Sequence, residues 1–152
     1  MKIKLGILFG GKSVEHEVSI ISALQAAASI DRTKYDVVYL YMTRENTFFT
    51  GEAAGNIENY RHGLKAVTSE CQQVLLIPAD GRVELVRYPM KKLGNNLVDT
   101  LDVIFPIVHG TNVEDGALQG YLKTLGVPFV GCDVLASALG VDKYMMKCVW
   151  KE

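Results

Sequence analysis

The opening of the chain constrains the fold more than any other segment. Residues 3–9 form a nearly continuous apolar run, IKLGILF, which has the length of a strand and stops at Gly10-Gly11. A run without alternation of apolar and polar residues is typical of a strand buried on both faces of a parallel sheet. Ser13 can cap a helix over residues 14–30, and residues 37–42 supply a second strand. This β-α-β order predicts a right-handed connection and a largely parallel sheet.

The helix predicted over residues 14–30 carries apolar side chains at helical spacing. Ile20, Leu24 and Ala27 recur at i, i+4 and i+7, and Ile21 and Ala28 widen the stripe. A helix on the surface of a sheet buries such a stripe against the strands. We therefore expect these five side chains to pack on the sheet.

The β-α alternation returns after residue 100. Residues 101–108 are mostly apolar and predict a strand, in which Pro106 indicates a bulge or a nearby strand end because proline cannot donate to a ladder. A helix is predicted from about Asp115 to Gly126, where the glycine closes it. Its apolar face consists of Leu118, Tyr121, Leu122 and Leu125.

The end of the chain is predicted to contain one short strand and two helices. Residues 127–130 predict the strand, and Asp133 can cap a helix that runs through Leu139. Asp142 can cap a last helix that begins at Lys143 and runs into the final residues without a glycine or proline. This ending is typical of a piece cut from a longer protein.

The middle of the chain has a different pattern. Residues 47–49, 74–77 and 82–87 read as strands, and Asp80-Gly81 separates the last two as a hairpin turn. We expect these hairpins at the edge of the sheet. Residues 50–69 show little periodicity and predict a loop with at most one helical turn, to which we assign no chemistry.

Composition excludes several classes of protein. The 152 residues suit one domain, and 49% hydrophobic with 22% charged residues is ordinary for a globular chain. The formal net charge of −1 is too balanced for electrostatic binding of nucleic acid. No run approaches the about 18 apolar residues that a membrane span requires. The three cysteines lack Cys-x-x-Cys spacing, which predicts reduced thiols in the cytoplasm rather than disulfides or a zinc site.

Two motif searches give weak or negative results. Residues 6–13, GILFGGKS, satisfy the P-loop pattern of nucleotide-binding proteins. That reading would place Ile7, Leu8 and Phe9 in a loop around a phosphate and expose them to water, so the strand is favoured and the P-loop is kept as an alternative. The alternate glycines of dinucleotide-binding proteins are absent. His16 and His62 have no partner at metal-ligand spacing, so we expect both at the surface and no metal site.

Polar groups follow the ends of the predicted strands, where open α/β sheets place their sites. Glu15 lies in the first helical turn, where the dipole keeps a carboxylate ionised and able to hold an ammonium group; a helix-dipole carboxylate without a ligand is the alternative. His109-Gly110 suits hydrogen bonding to a small carboxylate, or a buried structural histidine. Glu114 and Asp115 are more typical of helix caps than of ligands. Lys143 is either a phosphate contact or a solvated lysine.

Three blocks of sequence carry a resemblance to a known family. They are LFGGKSVEHEVS at residues 8–19, HGTNVEDGALQG at residues 109–120 and GCDVLASALGVDK at residues 131–143. In order and spacing they resemble D-alanine–D-alanine ligases, which are ATP-grasp enzymes, and the resemblance covers only the amino-terminal part of such an enzyme. It implies a Rossmann-like, mostly parallel open sheet with helices on both faces and an edge β-hairpin.

The resemblance also implies roles for single residues. Glu15 corresponds to the carboxylate that holds the ammonium group of the first D-alanine, Val18 to the apolar contact with its methyl group, and His109 to a histidine that hydrogen-bonds in the same pocket. Lys143 corresponds to the first of two phosphate-contacting lysines. The family uses ATP and Mg²⁺, whose remaining ligands would lie beyond residue 152. Residues 111–113 read TNV where many members have a glycine before Glu-Asp-Gly.

We therefore expect residues 1–140 to form a substrate-binding domain and residues 141–152 to begin a linker helix. The family implies a cytoplasmic ligase for peptidoglycan precursors that pairs as a homodimer through this domain, and this piece alone should be inactive and bind no cofactor tightly. The alternatives are a D-alanine–D-serine or D-lactate ligase of the same family, the P-loop protein, and a non-catalytic module for amino-acid binding or dimerisation.

Overall fold

The computed structural model describes residues 1–61 and 63–151. Its strands are β1 (Ile3–Gly10), β2 (Tyr35–Met42), β3 (Phe48–Thr50), β4 (Gln72–Ala79), β5 (Arg82–Arg87), β6 (Leu97–Leu101) and β7 (Val103–Ile107). Its α-helices are α1 (His16–Ser29), α2 (Lys65–Glu70), α3 (Ala117–Leu125), α4 (Val134–Val141) and α5 (Lys143–Trp150). Two 3₁₀ turns, Glu52–Gly55 and Ile57–Tyr60, precede α2. The surface position predicted for His62 lies outside the described residues.

One seven-stranded sheet organises these elements, in the order β6-β5-β4-β3-β2-β1-β7. β1 lies between β2 and β7 and is parallel to both. The other neighbouring pairs are antiparallel, so β3 and β5 run against the remaining strands and most strands point the same way. The predicted fold class, an α/β domain with a mostly parallel open sheet and hairpins toward one edge, is confirmed.

The two faces of the sheet bury separate apolar cores. Ile7 and Phe9 of β1 face α1, whereas Leu8 between them faces α3, and all three side chains are fully buried. Burial on both faces explains why the opening run has no polar alternation. Because residues 6–10 belong to this strand, the loop that a P-loop requires is not formed. Helices cover both faces, as predicted.

The buried stripe of α1 differs from the predicted one. Ile20 and Ala27 are buried, but Ala23 is the third buried apolar residue, and Ile21 is 50% exposed and Ala28 is also exposed. The helix therefore meets the sheet along a narrow stripe at i, i+3 and i+7, and the wider stripe was wrong. Leu24 packs at the margin of this core.

The helix also begins later than predicted. α1 starts at His16 with Glu15 as its N-cap residue, and the Ser13 hydroxyl accepts a hydrogen bond from the Glu15 backbone N–H at 3.1 Å. Ser13 is thus part of the turn before the helix, because Gly10 and Gly11 take left-handed conformations and delay the first helical residue.

The apolar run of residues 101–108 is two strands rather than one. β6 and β7 are the first and last strands in the order of the sheet, yet Asp102 alone separates them, so the sheet curls until β6 also lies near β1. Asp102 is held at this crossing because its backbone N–H donates to the Lys4 carbonyl at 2.9 Å and its carboxylate accepts from the Lys4 N–H at 2.8 Å and pairs with Arg82 at 2.9 Å. Pro106 lies one residue before the end of β7, as expected.

Two short segments also depart from the sequence prediction. Residues 50–69 contain two 3₁₀ turns and α2, which are too short to produce a clear periodicity, instead of a loop with at most one turn. Residues 127–130 form only a single parallel bridge between Phe129 and Ile104. The Asp80-Gly81 turn forms as predicted, with left-handed conformations at both residues that match the twist of a tight hairpin.

The caps at the end of the chain form as predicted. The Asp133 carboxylate accepts from the Val134 N–H at 2.7 Å, and the Asp142 carboxylate accepts from the Tyr144 and Met145 N–H groups. α4 ends two residues later than predicted, at Val141, and α5 packs mainly against it. Within residues 1–61 and 63–151, no helix combines the length and the apolar character needed to cross a bilayer.

Candidate functional site

The candidate site lies where the parallel strands β1 and β7 end side by side. β1 runs into the Gly10-Gly11 turn, and β7 runs into Val108, His109 and Gly110. The Ser19 hydroxyl of α1 joins the two ends, because it accepts from the Gly10 N–H at 2.8 Å and donates to the Ile107 carbonyl at 2.6 Å. The carboxyl ends of adjacent parallel strands are where ligands bind in sheets of this type.

Glu15 lies against the second of these strand ends. One of its carboxylate oxygens is 2.8 Å from the position that a Cβ atom on Gly110 would occupy. Gly110 has a φ of 89°, which favours glycine, and a Cβ atom there would also clash with the buried Ser13 hydroxyl. The loop after β7 therefore touches the start of α1, and the Glu15 side chain remains exposed beside it.

His109 is held between α1 and its own loop. Its Nε2 atom lies 3.1 Å from the Ser22 hydroxyl, and its Nδ1 atom lies 3.9 Å from a carboxylate oxygen of Glu114. A third of the side chain is exposed, so the ring is fixed and still accessible. Glu114 also accepts a hydrogen bond from the Gly110 N–H.

Val18 lies on the same side of α1 as these groups. Residues 15, 18 and 22 are spaced at i, i+3 and i+7, which places them along one face of the helix, and His109 contacts Ser22 on that face. Val18 is 49% exposed. The structure thus brings Glu15, Val18 and His109 to one edge of the sheet.

Lys143 is not in contact with this group. It is the first residue of α5 and is exposed, and within residues 1–61 and 63–151 its ammonium group forms no ion pair. A flexible lysine at this position is suited to contact a phosphate from outside the chain. The part of the chain that is described also holds no group of three His, Cys, Asp or Glu side chains able to bind a metal ion.

The two acidic residues before α3 have different roles. Asp115 closes the loop before α3 and caps the start of that helix. Its carboxylate accepts from the Asn112 N–H at 2.7 Å and from the Ala117 N–H at 3.2 Å. Glu114 instead ties the loop to Gly110 and His109. Asn112 has a φ of 69°, a left-handed conformation that asparagine tolerates better than most residues. This explains how the loop of residues 111–113 forms without a glycine of its own.

His16 was predicted at the surface and is buried. Only 1% of the residue is exposed; its Nδ1 atom lies 2.7 Å from the Gly11 carbonyl and its Nε2 atom 2.9 Å from the Tyr41 hydroxyl. The sequence did contain a signal, because residues 16, 20, 23 and 27 continue the buried stripe of α1 at helical spacing. The prediction was wrong because a histidine without a metal-ligand partner can also be buried when both of its ring nitrogens have hydrogen-bond partners.

Glu17 faces away from the site. Its carboxylate accepts from the Arg44 guanidinium at 2.7 and 2.9 Å, and this hydrogen-bonded cation lowers the pKa of Glu17 below its ordinary value. Arg44 also donates to the Ser13 carbonyl. The two acidic residues that flank His16 therefore differ in surroundings, with Glu15 at the loop after β7 and Glu17 in an ion pair.

Comparison with known proteins identifies the family. The family model described as D-ala D-ala ligase N-terminus matches residues 4–132. The chain belongs to this family. A D-alanine–D-alanine ligase of Geobacillus kaustophilus is 44% identical over 150 residues, which cover 97% of this chain and 38% of that protein. The chain therefore spans about two-fifths of the length of the curated family members it matches.

Solved structures of family members have the same fold. The D-alanine–D-alanine ligase of Coxiella burnetii superposes with a TM-score of 0.79 at 27% identity and covers 99% of this chain and 41% of its own. The VanG D-Ala:D-Ser ligase of Enterococcus faecalis gives a TM-score of 0.73 at 31% identity, with 95% and 40% of the two chains covered. The match to the amino-terminal part of these ligases agrees with the resemblance seen in the three sequence blocks.

Proposed function

We propose that this chain forms the part of an ATP-dependent D-alanine–D-alanine ligase that binds the first D-alanine. The proposal rests on one observation above all, that Glu15 and the His109-Gly110 loop meet at the ends of two adjacent parallel strands in a chain of this family. The complete enzyme would make the dipeptide for peptidoglycan precursors in the cytoplasm.

The chemistry of the site suits a small zwitterion. The Glu15 carboxylate would hold the ammonium group of the first D-alanine, and Val18, half-exposed one helical turn further, would contact its methyl group. His109 would hydrogen-bond to the substrate in the same pocket, with Ser22 and Glu114 holding the ring. Together these groups supply one side of a binding site for an amino acid.

The reaction itself requires groups beyond those of this chain. The γ-phosphoryl group of ATP would pass to the carboxylate of the bound D-alanine, and the amine of a second D-alanine would then attack the acyl carbon and displace phosphate. Lys143 would contact a phosphate of ATP. The family implies Mg²⁺ with ATP, and we propose that its ligands belong to the rest of the enzyme. The role of this chain is to bind and orient the first substrate.

We further propose that residues 1–140 form the substrate-binding domain and that α5 begins the connection to the ATP-binding region. The packing of α5 mainly against α4, with most of its side chains exposed, supports this division. Two copies would pair through this domain in a homodimer. An open cleft of about 620 Å³ lined largely by apolar residues between the end of α1 and β7 offers a surface for such pairing, which sedimentation of the complete enzyme would test.

The substitution Glu15→Gln in the complete ligase tests the proposal. Glutamine keeps the shape and loses the charge, so the KM for the first D-alanine should rise by about 10- to 100-fold, the value of a hydrogen bond between charged groups. Glu17→Gln is the matched control, since Glu17 carries the same charge two residues away and pairs with Arg44. Steady-state kinetics with unchanged KM in Glu15→Gln, or equal changes in both variants, would contradict the assignment.

A D-Ala:D-Ser ligase is the second candidate. It is favoured by the similarity to the ligase of Enterococcus faecalis, which at 31% identity is within the range of the other family members. Both activities would use the same first D-alanine, so the site described above does not separate them. Mass spectrometry of the products formed from D-alanine in competition with D-serine and D-lactate would decide the second substrate.

A further inference from the structure

We propose that His16 is a positioning residue that fixes the turn carrying Glu15, by donating to the Gly11 carbonyl and accepting from the Tyr41 hydroxyl. This inference rests on the proposed function, because it concerns how Glu15 is held for the first D-alanine. It differs from that proposal in assigning a role to a buried side chain that contacts no substrate.

The burial of His16 sets it apart from its neighbours. His16 is 1% exposed, whereas Glu15 and Glu17 on either side are exposed. Its ring packs edge-on against Tyr41, with the ring centres 5.6 Å apart, and Tyr41 is itself fully buried. A buried imidazole must have partners for both ring nitrogens, and here each nitrogen has one.

The partners fix the direction of the hydrogen bonds. The Gly11 carbonyl can only accept, so the Nδ1 atom of His16 carries the proton and donates across 2.7 Å. In the tautomer with its proton on Nδ1, Nε2 accepts from the Tyr41 hydroxyl at 2.9 Å. Burial raises the pKa of Tyr41, so its hydroxyl keeps the proton that it donates. One tautomer therefore satisfies the whole arrangement.

The turn that His16 contacts leads directly to Glu15. The Gly11 carbonyl that accepts from His16 also accepts from the Ser13 N–H at 3.0 Å, and the Ser13 hydroxyl accepts from the Glu15 N–H at 3.1 Å. On the other side, the Gly11 N–H donates to the Met42 carbonyl of β2 at 2.7 Å. Other side chains hold the turn as well: buried Ser19 accepts from the Gly10 N–H, Arg44 donates to the Ser13 carbonyl and Asn112 donates to the Lys12 carbonyl. His16 contributes the buried side-chain hydrogen bond to the Gly11 carbonyl.

The turn packs closely against β2 and the His16 ring. A Cβ atom on Gly10 would clash with the Met42 carbonyl oxygen and would lie 3.0 Å from the Tyr41 ring and 3.1 Å from Cε1 of His16. Removal of the imidazole would free this space and the Gly11 carbonyl together. We therefore expect Glu15 to lose its fixed position relative to Gly110 even though α1 remains folded on the sheet.

The test uses the complete ligase with three variants and one control. His16→Ala removes both hydrogen bonds, Tyr41→Phe removes the donor to Nε2, and His16→Asn retains an amide that can donate to the Gly11 carbonyl. The control is Tyr60→Phe, which removes a hydroxyl that donates to the Ala54 carbonyl at 2.9 Å in the adjoining aromatic cluster and does not contact the turn. Kinetics in both substrates and hydrogen exchange of the peptide over residues 10–19 are measured for each.

We expect His16→Ala to raise the KM for the first D-alanine by about tenfold, with the KM for ATP and kcat within about twofold of wild type. His16→Asn should recover most of this loss, and exchange over residues 10–19 should accelerate in His16→Ala and remain normal in Tyr60→Phe. If His16→Ala does not fold, the KM for the first D-alanine and the exchange over residues 10–19 are compared between Tyr41→Phe, His16→Asn and Tyr60→Phe. The inference then requires a larger effect in Tyr41→Phe than in Tyr60→Phe.

The outcomes separate this inference from the proposed function. Faster exchange with an unchanged KM for D-alanine would overturn the positioning role and leave a purely structural one. Equal effects in Tyr60→Phe and the variants of the turn would also overturn it. A wild-type enzyme that consumes no ATP with D-alanine would overturn the proposed function and the substrate part of this inference, and the exchange data alone would then show whether His16 holds the turn.

Discussion

At the scale of single residues, three consecutive side chains at the start of α1 face three different surroundings. Glu15 lies at the loop after β7, His16 is buried against Tyr41, and Glu17 pairs with Arg44. A helix turns by about 100° per residue, so neighbours in sequence point in different directions. The functional assignment of each residue therefore depends on its contacts more than on its chemical type.

The contact between Gly110 and Glu15 leads to a prediction for Gly110→Ala. The new methyl group would clash with the buried Ser13 hydroxyl, would lie 2.8 Å from the Glu15 carboxylate, and would also be strained at a φ of 89°. We expect a loss of about 2–5 kcal/mol in the free energy of unfolding. Gly94→Ala is the matched control, because Gly94 has a φ of 94° with nothing within 4 Å, and strain alone should cost about 1–2 kcal/mol. Urea unfolding measures both variants. Equal losses in the free energy of unfolding for Gly110→Ala and Gly94→Ala would show that the side chains around Gly110 leave room for a methyl group.

The ion pair of Glu17 predicts a dependence of stability on pH. Arg44 lowers the pKa of Glu17 from its ordinary value of 4.5, so the pair stabilises the fold above that value and this stabilisation is lost as the pH falls through the lowered pKa. Because the Glu17 side chain is 68% exposed, wild type should exceed Glu17→Gln by less than about 1 kcal/mol at neutral pH. Urea unfolding at neutral and acid pH measures this, and a difference that grows on acidification would refute it.

At the scale of elements, local sequence signals were reliable where the cause of the structure is local. The β-α-β opening, the Asp80-Gly81 hairpin and the caps Asp133 and Asp142 were all predicted, since each depends on residues a few positions apart. The division of residues 101–108 was missed because it is imposed by Lys4, which is almost a hundred positions away. Asp102 is the one charged residue in this run, but the local pattern alone does not show that the strand pairing changes there.

Substitution of Asp102 tests how much its contacts at the junction of β6 and β7 contribute to stability. Asp102→Ala would leave the Lys4 N–H without its partner and remove the pair with Arg82, so the free energy of unfolding should fall by about 1–3 kcal/mol. Arg82→Ala removes only the half-exposed ion pair and should cost less than about 1 kcal/mol. Urea unfolding of both variants gives the comparison, and similar small losses would mean that the bond to Lys4 contributes little.

At the scale of the whole molecule, the chain would supply one side of the proposed site. The three residues assigned to the first D-alanine lie together on the edge of the sheet, whereas Lys143 is exposed on α5, away from them. The sequence indicated Glu15 and His109 as candidate site residues because both follow the ends of predicted strands. It did not predict the contact of Glu15 with Gly110 or the burial of His16, because these depend on how two loops and β2 pack.

We expect the isolated chain and the complete ligase to differ in D-alanine-dependent hydrolysis of ATP. Since it spans about two-fifths of the matched ligases, we expect no D-alanine-dependent hydrolysis of ATP by residues 1–152 alone, whereas the complete enzyme should release phosphate when both are present. A coupled phosphate assay measures both. Turnover by the isolated chain would mean that the nucleotide site lies within these residues and that the division of roles proposed above is wrong.

The single-residue crossing at Asp102 has a consequence for how the domain forms. β6 pairs with the last of the hairpin strands and β7 pairs with the first strand of the chain, so the contacts around Asp102 join segments that are nearly a hundred residues apart. Contacts of such long separation cost the most chain entropy and are slow to form. We therefore expect the antiparallel part of the sheet, β3 to β6, and the parallel part, β1, β2 and β7, to unfold together as one cooperative unit. Cleavage of the backbone near Asp102 should make their unfolding independent.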